Sequence, residues 1–315
     1  METPVELNPA QQEVVALLGA SRAERPVFDP ALRTELKAAV EEGLAPLVER
    51  ANKIDDTIWV SKHALGQVMG CERKYLADEE AQFEWSVALA RGSVSHKAIE
   101  LSIHWRREPE PLALVDEALG RLSESDDRLG DWLQTISEAE RAELRAESND
   151  RVVKFLECFP PLKHGWRPVT ESRLRYEVHD QFVFSGKVDL SLGRAEGNRA
   201  GKVLIDLKTG GFSPQHLEDL RFYALIETIR LGTPPRRIAT YYLDQGSFVP
   251  EDVTDGVLFA AAARLVDGTT RIVEVLGAER EPNLLAGPVC RWCPVLSDCD
   301  VGKRHLEVDN EDSGW

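Results

Sequence analysis

Apolar residues recur every three or four positions through the first part of the chain. Leu32, Leu36, Val40, Leu44 and Leu47 fall on one face of a helix predicted over 31–51. Ser61 reads as the N-cap of a second helix, KHALGQVMG, running toward Cys71. A third, from about Gly92, carries His96, Ile99 and Ile103 down one side, and 112–158 reads as helical throughout, ending before Pro160-Pro161. The period then changes. Residues 169–178, 182–192 and 202–207 are rich in β-branched and aromatic residues and read as three strands, parted by the turn-like HDQ and GRAEGN. A helix over 214–231, a strand over 237–243 and a helix over 253–276 follow, then a segment with prolines and cysteines and an acidic run at 307–312. The central order is helix, three strands, helix, strand, an α/β fold with a large helical N-terminal part.

Composition narrows the class. The 315 residues are 43% hydrophobic and 29% charged, an ordinary globular balance. The net charge of −16 alone argues against nucleic acid, but it is unevenly placed. Residues 100–150 hold 14 acidic against 6 basic side chains, whereas 151–250 hold 15 basic against 11 acidic. The acid sits in flanking segments around a mildly basic block, which can still face a polyanion. No run of about 20 apolar residues is present, and the N-terminus lacks the charged and apolar regions of a secretory signal, so a cytoplasmic protein without a membrane span is expected. Five cysteines, an odd number, do not suggest a disulfide framework.

Candidate chemistry concentrates in that block, in FSGKVDLSLG and VLIDLKTGG. Strand residues two apart share a face, so Asp206 and Lys208 project together while Leu207 points away. Pairing across the intervening turn brings Asp189 beside them. Carboxylates that close repel unless a cation lies between them, and hard oxygen ligands suit Mg²⁺ or Mn²⁺. Read alone, Asp-x-Lys also fits a strand-edge ion pair, and a lone His96 also fits a packed helix residue. A second cluster is Cys290-Arg-Trp-Cys293 with Cys299 five residues on, a C-x2-C-x5-C run that leaves one ligand position for Cys71 far upstream. Cys158 is left over as a core or boundary cysteine.

Gly92-x-x-x-His96, Gly186-x-x-Asp189 and Asp206-x-Lys208, in this order on these elements, resemble the PD-(D/E)XK nuclease superfamily and its RecB-like branch. The resemblance implies a restriction-endonuclease-like α-β-β-β-α-β core. It makes His96, Asp189 and Asp206 ligands of Mg²⁺ or Mn²⁺, joined by the Leu207 carbonyl, and gives Lys208 the attacking water. Glu171 stands where many RecB-like nucleases carry a further acid. The family's QxxxY is here Asp219-Leu-Arg-Phe-Tyr223: Tyr223 is kept as a substrate-positioning residue, and the aspartate calls for neutralisation by Arg221 or the metal. One early cysteine plus a late C-x2-C-x5-C resembles the iron–sulfur members, of AddB and CRISPR-adaptation type. There Cys71, Cys290, Cys293 and Cys299 would hold a [4Fe–4S] cluster at a C-terminal Fe–S segment, with zinc as the other occupant. The organisation expected is a helical extension over 1–56, a nuclease domain over 57–305 with a helical insertion at about 105–160, and an acidic tail over 306–315. The function implied is a metal-dependent deoxyribonuclease, an exonuclease on single-stranded DNA or DNA ends, in repair, recombination or defence. The alternative is a non-catalytic iron–sulfur DNA-binding subunit working with a helicase. The chain has no P-loop of its own.

Overall fold

A computed structural model describes residues 6–55, 57–105 and 108–312. The first five residues of the expected extension, the last three of the expected tail, and residues 56, 106 and 107 lie outside it. Helices α1 (Pro9–Leu18), α2 (Leu32–Leu44) and α3 (Val48–Ala51) precede a short strand, β1 (Ile58–Ser61). Then come α4 (Lys62–Gly70), α5 (Glu72–Glu80), α6 (Val87–Ile103), α7 (Pro111–Ser123), α8 (Arg128–Thr135) and α9 (Glu138–Cys158). Strands β2 (Val169–Val178), β3 (Phe182–Leu192) and β4 (Val203–Lys208) follow, then α10 (Gln215–Leu231), β5 (Arg237–Tyr242), β6 (Ser247–Asp252), α11 (Asp255–Leu276) and α12 (Asp300–Asp312). The expected α-β-β-β-α-β order is present as α6, β2, β3, β4, α10 and β5.

Several elements depart from the sequence reading, among them helix α12, which runs into the expected acidic tail. The stretch 112–158 is interrupted twice, by N-caps at Asp127, which accepts from Gly130 N–H, and at Ser137, which forms a capping box with Glu140. Strand β1 is four residues long, too short to show a period. Strand β6 carries Pro250, which is tolerated because β6 pairs only with β5 at the sheet edge.

The sheet runs β1-β3-β4-β5-β6, with β2 also on β3. Strand β2 lies antiparallel along the whole of β3. The opposite edge of β3 is shared: β1 pairs parallel with Phe182–Ser185, and β4 pairs antiparallel with Leu190–Leu192. The C-terminal ends of β1 and β4 therefore run toward each other across a fork at Gly186–Asp189.

Both faces of the sheet are covered, so β4 reads as a nearly continuous apolar run. Leu204 and Ile238 join one core with α2, α4, α10 and α11. Val203, Ile205, Leu207 and Tyr241 join the other, with α1, α6, α7 and α9. On β3 the faces change over at Asp189: Phe182, Phe184 and Val188 belong to the first core, Leu190 and Leu192 to the second.

Candidate active site

The fork assembles the chemistry. Asp189 occupies the point where the β3–β4 ladder stops, and its Oδ2 accepts from Leu207 N–H at 2.7 Å in place of the next ladder bond. Leu207 turns its carbonyl to α6, where His96 Nε2 lies 3.0 Å away, and His96 Nδ1 is 3.4 Å from Asp189 Oδ1. Gly92, one turn before His96 on α6, faces Thr209; a Cβ there would sit 3.4 Å from Thr209 Oγ1, an ordinary contact. Burial opposes charge on both His96 and Asp189, yet each offsets it for the other. The Asp189 carboxylate lifts the imidazole above its ordinary pKa, and His96, with Lys62, holds the Asp189 carboxyl below the usual range.

Glu171 joins them from β2. The β2–β3 register lacks one pair, that of Glu171 with Asp189, and Glu171 has φ +53°, in the left-handed region that side chains rarely adopt. Such strain costs on the order of 1–3 kcal/mol and persists only where the surroundings impose it. Among the described residues, the His, Cys and acidic group whose ligand atoms all lie within 4.8 Å of one another is His96, Glu171 and Asp189. One imidazole with carboxylates suits a hard divalent cation of mixed oxygen and nitrogen ligation. Glu171 also pairs with Lys187.

Asp206, expected as a ligand with His96 and Asp189, lies beside this group but outside that 4.8 Å set. Its carboxylate, 1% exposed, is engaged by two lysines. Lys208 Nζ is 2.8 Å from Oδ2, as the shared strand face requires, and Lys62 donates to Oδ1 at 2.7 Å. The Lys208 contact lacks hydrogen-bond geometry, so buried Oδ2 retains lone pairs for another cation. Lys62 is the first residue after β1, and only the parallel β1–β3 pairing brings it here. Burial works against its ammonium, but Asp206, then Tyr223 and Asp219, raise its pKa above the ordinary lysine range.

Helix α10 closes the site. Asp219 lies 3.6 Å from Lys62 and 3.7 Å from Lys208, and accepts from Gln215, one turn earlier, at 3.2 Å. The neutralising groups are therefore the two lysines, not Arg221. That guanidinium is held by Glu251 on β6 and by Glu218. Tyr223 is buried against the fork, its hydroxyl accepting from Lys187 N–H at 3.4 Å. Lys62 Nζ lies over its ring, 4.8 Å from the centroid, and burial pushes the phenol up to about 12. The ring explains Gly186: a Cβ there would lie 2.3 Å from Tyr223 Cε1. His216, absent from the sequence motifs, approaches Tyr242 Oη at 3.1 Å; burial, then Lys208, lowers its pKa.

The four expected cluster cysteines, Cys71, Cys290, Cys293 and Cys299, line one pocket at the far end of the chain, all as free thiols. Backbone N–H groups of Gly287 and Gly302 point at the sulfurs of Cys290 and Cys299, each 3.4 Å away. Next to Cys71, buried Glu72 accepts from both terminal nitrogens of Arg280 and from Asn283 N–H. Cys158 is apart from the others, at the end of α9 against Gly246.

Two solved structures show limited similarity. One, named "Putative exonuclease", from Eubacterium rectale, is 14% identical over 78% of this chain and 87% of its own, with TM-score 0.47. SSO0001 is 13% identical over 85% and 96%, with TM-score 0.33. No curated protein matches the chain. Residues 60–300, well over half of the sequence, match the model of the PD-(D/E)XK nuclease superfamily, and the chain belongs to that superfamily.

Proposed function

We propose that this nuclease is a divalent-metal-dependent deoxyribonuclease of RecB-like type, an exonuclease acting on single strands or ends. The observation that carries the reading is the convergence of His96, Glu171, Asp189 and the Leu207 carbonyl beside the Asp206–Lys208 pair. The imidazole and carboxylates would hold Mg²⁺ or Mn²⁺, which, when bound, supplies Lewis-acid polarisation of a phosphoryl oxygen and acidifies a bound water. Asp189 orients His96 and fixes the Leu207 peptide. Lys208, on the same strand face as Asp206, offsets the negative charge that grows on the phosphoryl oxygens as water attacks phosphorus and the P–O bond breaks. Lys62 and Tyr223 act through Asp206 as positioning residues. Phe212, 66% exposed on the loop after Lys208, offers a stacking face for an unpaired base.

The [4Fe–4S] cluster belongs to the same proposal. Its support is the common pocket of four thiols and the N–H groups on two of them, which favour thiolates.

The test is digestion by anaerobically purified protein with Mn²⁺, on end-labelled single- and double-stranded, linear and circular DNA. Loss of linear single strands from one end is expected. Asp189→Asn and Lys208→Ala, folded by circular dichroism, should abolish it; retention of full activity in both would overturn the assignment. The second reading, a non-catalytic DNA-binding subunit for a helicase partner, is favoured by the two ammonium groups already compensating Asp206. It requires wild-type protein to bind DNA without Mn²⁺-dependent cleavage.

A further inference from the structure

A concavity of about 400 Å³ lies away from the fork. It lies at the opposite end of β4, beside Val203 and Leu192. Each is three residues, about 10 Å along its strand, from Asp206 and Asp189 respectively. Its wall includes the end of α1 and the chain after it, residues 14–25, which precede the region matched by the superfamily model.

The lining has an unusual charge for so acidic a chain. Arg25, Arg167, Arg194 and Arg236 face the cavity against one acid, Glu196, which lies 4.0 Å from Arg25 and pairs more closely with Arg22 outside it. Among the described residues, the exposed side chains of Arg167 and Arg194 have no ion pair or hydrogen bond. Arg236 is 7% exposed; it donates to Leu18 O at the end of α1, while its buried Nε has no partner. Burial, then Arg237 and Arg25, depress its pKa to about 10, the mark of a cation short of counter-charge. Guanidinium forks match phosphate oxygens, and a concave cationic lining concentrates anions. The remaining wall is apolar and aromatic, with Val14, Leu18, Phe159 and Trp166, and the volume falls in the range of small-molecule pockets.

We infer that this cavity is a second ligand site, separate from the fork, that binds a nucleoside monophosphate, the phosphate on the rim arginines and the nucleoside against the Trp166–Phe159 wall. The group can arrive as a free mononucleotide or as the 5′-phosphorylated end of a strand.

Isothermal titration of the full chain in metal-free buffer tests it, with dAMP, the 5′-phosphorylated dinucleotide of deoxyadenosine, deoxyadenosine and inorganic phosphate as separate probes. One-site binding of dAMP or the dinucleotide is expected, with deoxyadenosine at least tenfold weaker. A dAMP preference identifies the free nucleotide as the source, and a dinucleotide preference the strand end. Removing Arg236 would also uncap α1, so the rim carries the mutational test: Arg167→Ala with Arg194→Ala should weaken binding at least tenfold, and Lys208→Ala should leave it unchanged. The inference is overturned if neither nucleotide binds, if inorganic phosphate binds as tightly as dAMP, or if the loss follows Lys208 rather than the rim pair.

Discussion

Replacing Lys62 by methionine is the most direct probe of how the fork is balanced. Wild type gathers two carboxylates and two ammonium groups: Asp206 with Lys62 at 2.7 Å and Lys208 at 2.8 Å, and Asp219 within 3.7 Å of both lysines. The formal charge of this tetrad is zero. Lys62→Met keeps the stem that packs near Tyr223 and leaves one negative charge in excess around a carboxylate that is 1% exposed. Stranding a fully buried charge costs about 3–5 kcal/mol; with Lys208 still in contact and Lys62 partly solvated, about 2–3 kcal/mol is expected. Urea unfolding monitored by far-ultraviolet circular dichroism measures it. Asp219→Asn in the same chain restores neutrality and should recover about 1 kcal/mol or more, a positive coupling in a double-mutant cycle. Saturating Mg²⁺ should raise the unfolding midpoint of Lys62→Met more than that of wild type, since the cation replaces the missing charge. A loss below about 0.5 kcal/mol, or an Asp219→Asn change that adds to the loss, would refute the balance argument.

Four further outcomes follow from the geometry. Gly186→Ala forces the Tyr223 ring aside and should cost about 1–3 kcal/mol of stability, with Tyr223→Leu relieving part of it in the same unfolding assay. Phe212→Ala should weaken single-stranded DNA binding by roughly five- to tenfold in fluorescence anisotropy, about 1 kcal/mol, without moving the melting temperature. Mn²⁺ should raise the melting temperature of wild type by mass action and leave that of His96→Gln with Asp189→Asn almost unmoved, as thermal unfolding at two metal concentrations will report. Cys71→Ser should lose bound iron and the visible absorbance of anaerobically purified protein, whereas Cys158→Ser should keep both.

What was legible in the sequence was whatever a local period carries. Asp206 and Lys208 announce a common face because strand side chains alternate, and their ammonium and carboxylate are in fact in contact. His96 is legible through its position one turn past Gly92. The Lys62 contact is not, because it depends on a four-residue strand pairing parallel with β3 some 120 positions later. Nor is the turn of Glu171, a backbone conformation no residue pattern encodes. Asp219 illustrates the intermediate case: its need for a counter-charge was foreseeable, but the nearest basic residue in sequence, Arg221, is on the wrong side of α10 and already engaged by Glu251. The interruptions at Asp127 and Ser137 were written in the sequence as capping residues, and periodicity alone passes over them.

The Glu72–Arg280 clamp has a consequence for how the protein matures. Residues 72 and 280 are joined by two short hydrogen bonds, with Asn283 N–H as a third. These contacts need only folded polypeptide, and they hold residue 71 beside residues 290–299 across some 200 positions of sequence. If the proposed cluster is bound there, the pocket can close first and the cluster enter last, on a chain that already has its shape.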